Sequence, residues 1–253
     1  MNKSIRKILR ASGLYDRVVD FKKWLAEPRK EYREFYSQFV NEGDLCFDVG
    51  ANVGRRSKIF LELGAKVITV EPQPHCMTQL KKKYDGNSDV VLVQKAVGET
   101  RGSAEMMLCD SHSLSSLSKS WIETVKTSGR YSSCTWNKAV TVAVVTLDDL
   151  ISQYGKPAFI KIDIEGYEYE ALKGLSQPVG MISLEFTPEF MDSTLKCVEH
   201  LSKISSSEFN YCLDDKPTAF VLSQWCSQGQ IREKLESMRG KARVGDIYIR
   251  SDA

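Results

Sequence analysis

Apolar residues in this chain come in two textures, short continuous runs and longer stretches of helical period, and the two alternate from Leu45 onward. The runs Leu45 to Val49, Lys66 to Val70, Val90 to Val93, Phe159 to Ile164 and Met181 to Phe186 predict strands. The segments near Arg55 to Leu63, His75 to Tyr84, Leu147 to Tyr154, Glu168 to Lys173 and Met191 to Ser205 predict the helices between them. Strand and helix in alternation imply right-handed parallel crossovers, so the expected fold class is α/β with a doubly wound, mostly parallel sheet. In such sheets ligands bind beyond the C-terminal ends of the strands at the switch point, where Asp48, Glu71, Asp163 and Glu185 all fall.

The alternation breaks between Gly98 and Val145. A turn at Gly98 to Gly102, an extended Ser103 to Leu108 and a serine-rich stretch from Ser111 to Ser133 predict a hairpin and a long loop over the site (98–145). Phe209 to Leu213, Ala219 to Leu222 and Asp246 to Arg250 read as strands that extend the sheet antiparallel. Ahead of the first strand, Ile5, Ile8, Leu9, Leu14, Val18, Phe21 and Leu25 recur at helical spacing as far as Pro28, followed by the aromatic stripe Tyr32, Phe35, Tyr36 and Phe39. The expected division is a helical arm over 1–43 and a single domain over 44–253.

Two segments carry the candidate chemistry. Asp48-Val49-Gly50-Ala51-Asn52-Val53-Gly54 joins the first strand to the first helix of the alternation, and its glycines suit a tight turn that approaches a ligand. Glu71 closes the next strand roughly twenty residues further on, the distance at which a carboxylate accepts hydrogen bonds from both ribose hydroxyls. A dinucleotide fingerprint would place glycine where Asn52 stands, so nothing here is spaced for a pyrophosphate. With Asp48 as a carboxylate near the cofactor's cationic end, the pattern favours S-adenosylmethionine. In Phe159 to Glu168, period-two alternation sends Lys161, Asp163 and Glu165 to one strand face. Lys161 is expected in a structural ion pair, because an unpaired charge inside a sheet costs several kcal/mol, roughly. Asp163 and Glu165, at the strand end, are candidates for the site.

Composition narrows the partners. The 253 residues hold 35 Lys and Arg against 33 Asp and Glu, a formal charge of +2, which asks for neither nucleic acid nor an acidic partner. Charge is concentrated at the N-terminus, where Lys3, Arg6, Lys7, Arg10, Arg17, Lys22, Lys23, Arg29, Lys30 and Arg33 outnumber Asp16, Asp20, Glu27 and Glu31. That basic arm is a candidate contact for a membrane surface, a glycan or a partner chain, and separately a homo-oligomer is open. Seven scattered cysteines lack C-x-x-C pairs and histidines at metal-ligand spacing, so no metal is expected and reduced thiols in a cytoplasmic protein are. No apolar run is long enough to span a bilayer.

Taken together, Asp48 to Gly54, Val70-Glu71-Pro72, Lys95-Ala96-Val97-Gly98, Thr146 to Leu150 and Lys161-Ile-Asp-Ile-Glu-Gly166-Tyr-Glu168 resemble the FkbM-type family of S-adenosylmethionine-dependent methyltransferases. The resemblance runs from about Asp44 to Phe186, and Asp246 to Arg250 is similar to the family's final strand. It implies a class I methyltransferase (Rossmann-like) fold, a seven-stranded sheet with one antiparallel strand near its edge, and O-methylation of a hydroxyl on a sugar, glycan or natural product. By position, Asp48, Gly50, Ala51, Asn52 and Gly54 would surround the methionine moiety together with Asp163. Glu71 and Pro72 would lie at the ribose, and Ala96 and Val97 at the adenine, whose amine is left to backbone groups or to Asp110 or Ser113. Asp163, Glu165 and, from the long loop, His112 are the candidates for contacting the acceptor or taking its proton. A nucleotide-dependent oxidoreductase and a non-catalytic cofactor-binding protein remain the alternatives.

Overall fold

A computed structural model describes residues 30–214, 218–241 and 243–252. The amphipathic segment before Lys30, with most of the basic arm, lies outside the described residues. The main sheet is built from β1 (Leu45–Val49), β2 (Lys66–Val70), β3 (Val90–Val93), β7 (Phe159–Ile162), β8 (Met181–Phe186), β9 (Ser207–Leu213) and β10 (Gly245–Ser251). Their spatial order is β3-β2-β1-β7-β8-β10-β9. Only β10 runs against its neighbours, pairing antiparallel with both β8 and β9, so the sheet has seven strands and is otherwise parallel, as expected of a class I methyltransferase fold. The order reverses beside β1, and the loops after β1 and β7 border the switch point.

Helices α2 (Arg55–Glu62), α3 (Pro74–Lys83), α5 (Leu147–Tyr154), α6 (Glu168–Lys173) and α7 (Met191–Ile204) fall where the periodicity predicts them. One core contains Val49, Ile68, Ile160, Ile162, Leu184 and Ile247 with Leu147, Leu172 and Leu195 of the helices. A second lies on the opposite face, where α1 (Lys30–Tyr36) packs the predicted aromatic stripe into the sheet. Tyr36 stands edge-on to Phe60 at 5.3 Å and to Phe159 at 5.9 Å, and Phe35 does the same to Tyr248 at 5.3 Å. Such pairs contribute about 0.5–1.5 kcal/mol each beyond burial, so this aromatic stripe is embedded in the core and is no loose appendage.

Between Gly98 and Val145 the extended segment expected at Ser103 to Leu108 is β5 (Gly102–Leu108), but it pairs antiparallel with β6 (Lys138–Val145), a strand not foreseen, and not across the turn at Gly98 to Gly102. With β4 (Ala96–Val97) they make a separate three-stranded sheet, ordered β4-β6-β5. The intervening chain is less irregular than its serine content implies. It contains a 3-10 turn at His112–Leu114 and α4 (Lys119–Thr127), whose N-cap Ser118 accepts from Trp121 N and whose Trp121, Ile122 and Val125 are buried. Toward the C-terminus, Ala219 to Leu222 is not a strand: Asn210 brackets the backbone of Leu222 with its own side chain, at 2.9 and 3.2 Å, in place of a ladder. Helix α8 (Gln228–Glu236) follows, opened by a Ser227–Gln230 capping box.

A row of polar side chains crosses the sheet on one face. Asp48, Lys161, Ser183 and Tyr248 are register partners on β1, β7, β8 and β10, all buried. Lys161 Nζ donates to Asp246 at 2.8 Å and lies 3.4 Å from Asp163, the structural pairing expected of it. Desolvation alone would lower the Lys161 pKa, but Asp163 and Asp246 outweigh it and hold the group well above its usual value. Lys161→Met should therefore destabilise the protein by about 3–5 kcal/mol, since it strands buried carboxylates. Urea denaturation should also find that adding Asp246→Leu restores part of the loss, and a single variant as stable as the parent would contradict this account.

Candidate functional site

The turn after β1 is shaped by its neighbours in the fold. Gly50 has φ +82, and a Cβ there would lie 1.9 Å from the Asp163 carbonyl oxygen, so the glycine is required by the chain that crosses from β7. Asn52 occupies the left-handed region at φ 51, which asparagine tolerates. Gly54, expected at the cofactor, instead faces α3. A Cβ there would meet Leu80 Cδ2 at 2.8 Å, and its carbonyl accepts from Lys83 Nζ at 2.8 Å and from the Tyr84 hydroxyl at 3.0 Å. Asp48 accepts from the Ser57 amide at 2.8 Å and from the Ser57 hydroxyl, which satisfies one unpaired donor in the first turn of α2. It also borders the cavity beside Gly50, Ala51 and Asn52.

Glu71, at the end of β2, is 2% exposed and has both carboxylate oxygens fixed by backbone, Oε2 by Asn52 N and Oε1 by Gln73 N, each at 2.8 Å. Burial pushes its pKa up to about 7 against the pull of those bonds. The chamber that Glu71 borders is narrow, about 40 Å³, and is also lined by Pro72, Ala96, Val97 and Met106 with Ser113 and Leu117 from the long loop. The predicted residues from four separate segments thus meet at one wall. Asp110 does not join them, because its Oδ1 is engaged by the amides of Ser111 and Thr135. Gln73 was not foreseen: its side-chain amide donates to the His112 carbonyl at 3.0 Å and ties the loop to the wall.

The chamber continues past Gly50 into a wider cavity of about 300 Å³, where Asp163, Glu165 and Glu185 stand together with Arg55, Arg56, His112 and Tyr131. Oxygens of the three carboxylates lie within 4.8 Å of one another. The expected shared strand face is not how this arises. Strand β7 ends at Ile162, and a turn with Glu165 at φ 55 and Gly166 at φ 85 brings Asp163 and Glu165 together. The turn is held by Glu168, whose Oε1 accepts from Ile164 N at 3.0 Å and Gly166 N at 3.2 Å. Gly166 is required because a Cβ would lie 2.3 Å from the Trp121 ring. Glu185 was placed at a strand's C-terminal end by sequence but given no role. Burial, reinforced by the charges of Asp163 and Glu165, raises its pKa well above the carboxylate range. His112 reaches the same cavity, with Nδ1 3.7 Å from Cys76 Sγ.

Three carboxylate oxygens at this spacing have the donor type that hard divalent cations take. They equally suit a cationic organic group or a hydroxyl that must lose a proton. Because Glu168 fixes the turn from behind, Glu168→Ala should cost about 1–3 kcal/mol by leaving two amides without their acceptor. Hydrogen exchange at Ile164 and Gly166 should quicken selectively, and unchanged protection there would refute the bracing role.

A family model described as the methyltransferase FkbM domain matches residues 48–208. The hexuronic acid methyltransferase AglP of Haloferax volcanii is 26% identical over 146 residues, which is 57% of this chain and 55% of that protein. The chain thus spans little more than half the length of this curated relative. Among solved structures, the methyltransferase FkbM from Methylobacillus flagellatus KT superposes with a TM-score of 0.47 at 13% identity, covering 95% of this chain and 60% of that one. The precorrin-6y C5,15-methyltransferase from Geobacter metallireducens GS-15 gives 0.45 at 11% identity, covering 90% and 94%. The family match covers well over half of the sequence and contains both the turn after β1 and the Asp163 to Glu168 turn, and the chain belongs to the methyltransferase FkbM domain family.

Proposed function

We propose that this protein transfers the methyl group of S-adenosylmethionine to a hydroxyl of a sugar or glycan. The observation that carries the reading is the buried Glu71 carboxylate at one end of a cavity whose other end holds Asp163, Glu165 and Glu185. Glu71 accepts the Asn52 and Gln73 amides and a bond from the Gln73 side chain, and its remaining acceptor capacity is offered to the ribose. Pro72, Ala96, Val97 and Met106 offer an apolar slot for the adenine, and Gly50, Ala51, Asn52 and Asp163 border the methionine portion. Because the first chamber is only about 40 Å³, seating the base requires the segment around Ser113 to Leu117 to move outward. When bound, S-adenosylmethionine supplies an already activated methyl group.

The chain's own tasks are to align the acceptor oxygen, exclude water and receive a proton. Burial and the charges of Asp163 and Glu165 raise the Glu185 pKa, and proton acceptance falls to Asp163 or Glu165, with His112 in the cavity wall as the second candidate. The glycan class is supported by the relative named as a hexuronic acid methyltransferase, and Arg55 and Arg56 in the cavity wall offer cations to a carboxylated sugar. Among the described residues no helix is long and apolar enough to cross a membrane.

Calorimetry should register binding of S-adenosylhomocysteine and none of NAD; the reverse result would overturn the cofactor assignment. Glu71→Ala should weaken binding of S-adenosylhomocysteine by about 1–3 kcal/mol. Hydroxyls donate to the ionised carboxylate, so affinity should level off well above pH 7 and fall as acid protonates Glu71 through its pKa of about 7, by no more than the loss expected of Glu71→Ala. Glu71→Gln should abolish that slope. Glu165→Gln should leave S-adenosylhomocysteine binding intact and reduce labelled-methyl transfer to a responsive glycan by about 10²-fold or more, and a wild-type rate would move proton acceptance to Asp163 or His112.

A further inference from the structure

The loop over the cavity leaves and returns through a neck at which three metal-ligating side chains converge. Cys109 follows β5, Asp110 is next in sequence, and Cys134 lies just ahead of β6. One ligand atom from each lies within 4.8 Å of the other two, and Cys109 Sγ stands 3.3 Å from Asp110 Oδ1. The neck is pinned by backbone. Asp110 N donates to Thr135 O at 3.0 Å, while Asp110 Oδ1 accepts from Ser111 N at 3.0 Å and Thr135 N at 3.1 Å. Those amides fill both lone pairs of Oδ1 and hold the carboxylate in place, which leaves Oδ2 as the oxygen for a metal. Behind the thiols lie Leu114, Trp121, Ile122, Val125 and Trp136, an apolar wall that limits water on that side.

The donor set, two thiols with a carboxylate, separates the two ordinary uses of paired cysteines. Zinc bonds of about 2.3 Å to sulfur and about 2.0–2.2 Å to oxygen, at tetrahedral angles, place sulfur about 3.8 Å from sulfur and about 3.5 Å from oxygen. The ligand atoms lie within 4.8 Å of one another, so shifts of about 1 Å bring them to those distances. A disulfide of about 2.05 Å would leave Asp110 without a part. We propose that Cys109, Asp110 and Cys134 bind a zinc ion, with water as the fourth ligand, and that the ion clips the neck of the loop. Two thiolates with one carboxylate select a borderline-soft divalent ion over magnesium or calcium. The clip fixes both ends of the segment that presents His112, Ser113 and Tyr131 to the cavity, and it stands independently of the methyl-transfer reading.

The test is titration of the full-length, reduced, metal-free protein with Co²⁺ and then Zn²⁺. One equivalent of cobalt should give a thiolate-to-cobalt charge-transfer band, zinc should displace it, and tryptophan emission should change because Trp136 packs against the site. Cys109→Ser, Cys134→Ser and Asp110→Asn should each weaken cobalt binding by about 10–100-fold or more. Cys76→Ala, which removes the thiol beside His112, should leave it unchanged. The proposal fails if the wild-type protein gives no charge-transfer band. It also fails if the band survives in both Cys109→Ser and Cys134→Ser or disappears in Cys76→Ala.

Discussion

One buried ammonium group, Lys161 Nζ, makes the rest of this site affordable in energetic terms. Asp163 and Asp246 reach it from two directions, and Asp48 and Glu185 share its face of the sheet. Carboxylates crowded at strand ends repel one another and resist burial. A lysine in the centre of the sheet supplies a fixed counter-charge that water cannot screen, and it lets Asp163 stand at the cavity without displacing its neighbours. The Asp163, Glu165 and Glu185 cluster is therefore a product of the sheet as much as of the loop that carries two of its members.

A second constraint couples the two ends of the cavity. The Gly50 backbone presses against the Asp163 carbonyl, and Asp163 N continues the ladder by donating to Val49 O at 3.0 Å. The turn after β1 cannot move without moving the turn after β7. Glu71 is bound to the same turn through Asn52 N, so the three segments proposed to hold ribose, methionine and acceptor form one mechanical unit. The long loop is tied to that unit through Gln73 to His112, through the Ser116 hydroxyl donating to the Glu165 carbonyl at 2.7 Å, and through Trp121 packed on Gly166.

Much of this was legible in the sequence, and the failures have physical causes. Parallel strands and their helices announce themselves through local periodicity, which is why β1, β2, β3 and β8 match their expected bounds and Glu71 lies where spacing put it. Gly54 misled because a glycine required by packing on Leu80 and Tyr84 looks, in sequence, like one required by a ligand. β7 ends before Ile164 because the turn depends on Glu168 and on room beside Trp121, contacts that no local pattern encodes. Strand β6 and helix α4 were hidden by serine-rich surroundings, although Ser118 ahead of Trp121, Ile122 and Val125 is a readable helix start. The Cys109, Asp110 and Cys134 cluster escaped because its members meet only when β5 pairs with β6.

The central claim is that Glu71 and the carboxylate cluster mark the two ends of one cofactor site, and a crystal structure with S-adenosylhomocysteine tests it most directly. The account predicts ribose hydroxyls about 2.7 Å from the Glu71 carboxylate, the adenine between Pro72 and Val97, and the sulfur directed toward Asp163, Glu165 and Glu185. Density for the ligand elsewhere, or with its sulfur at the Ala96 and Val97 end, would contradict it.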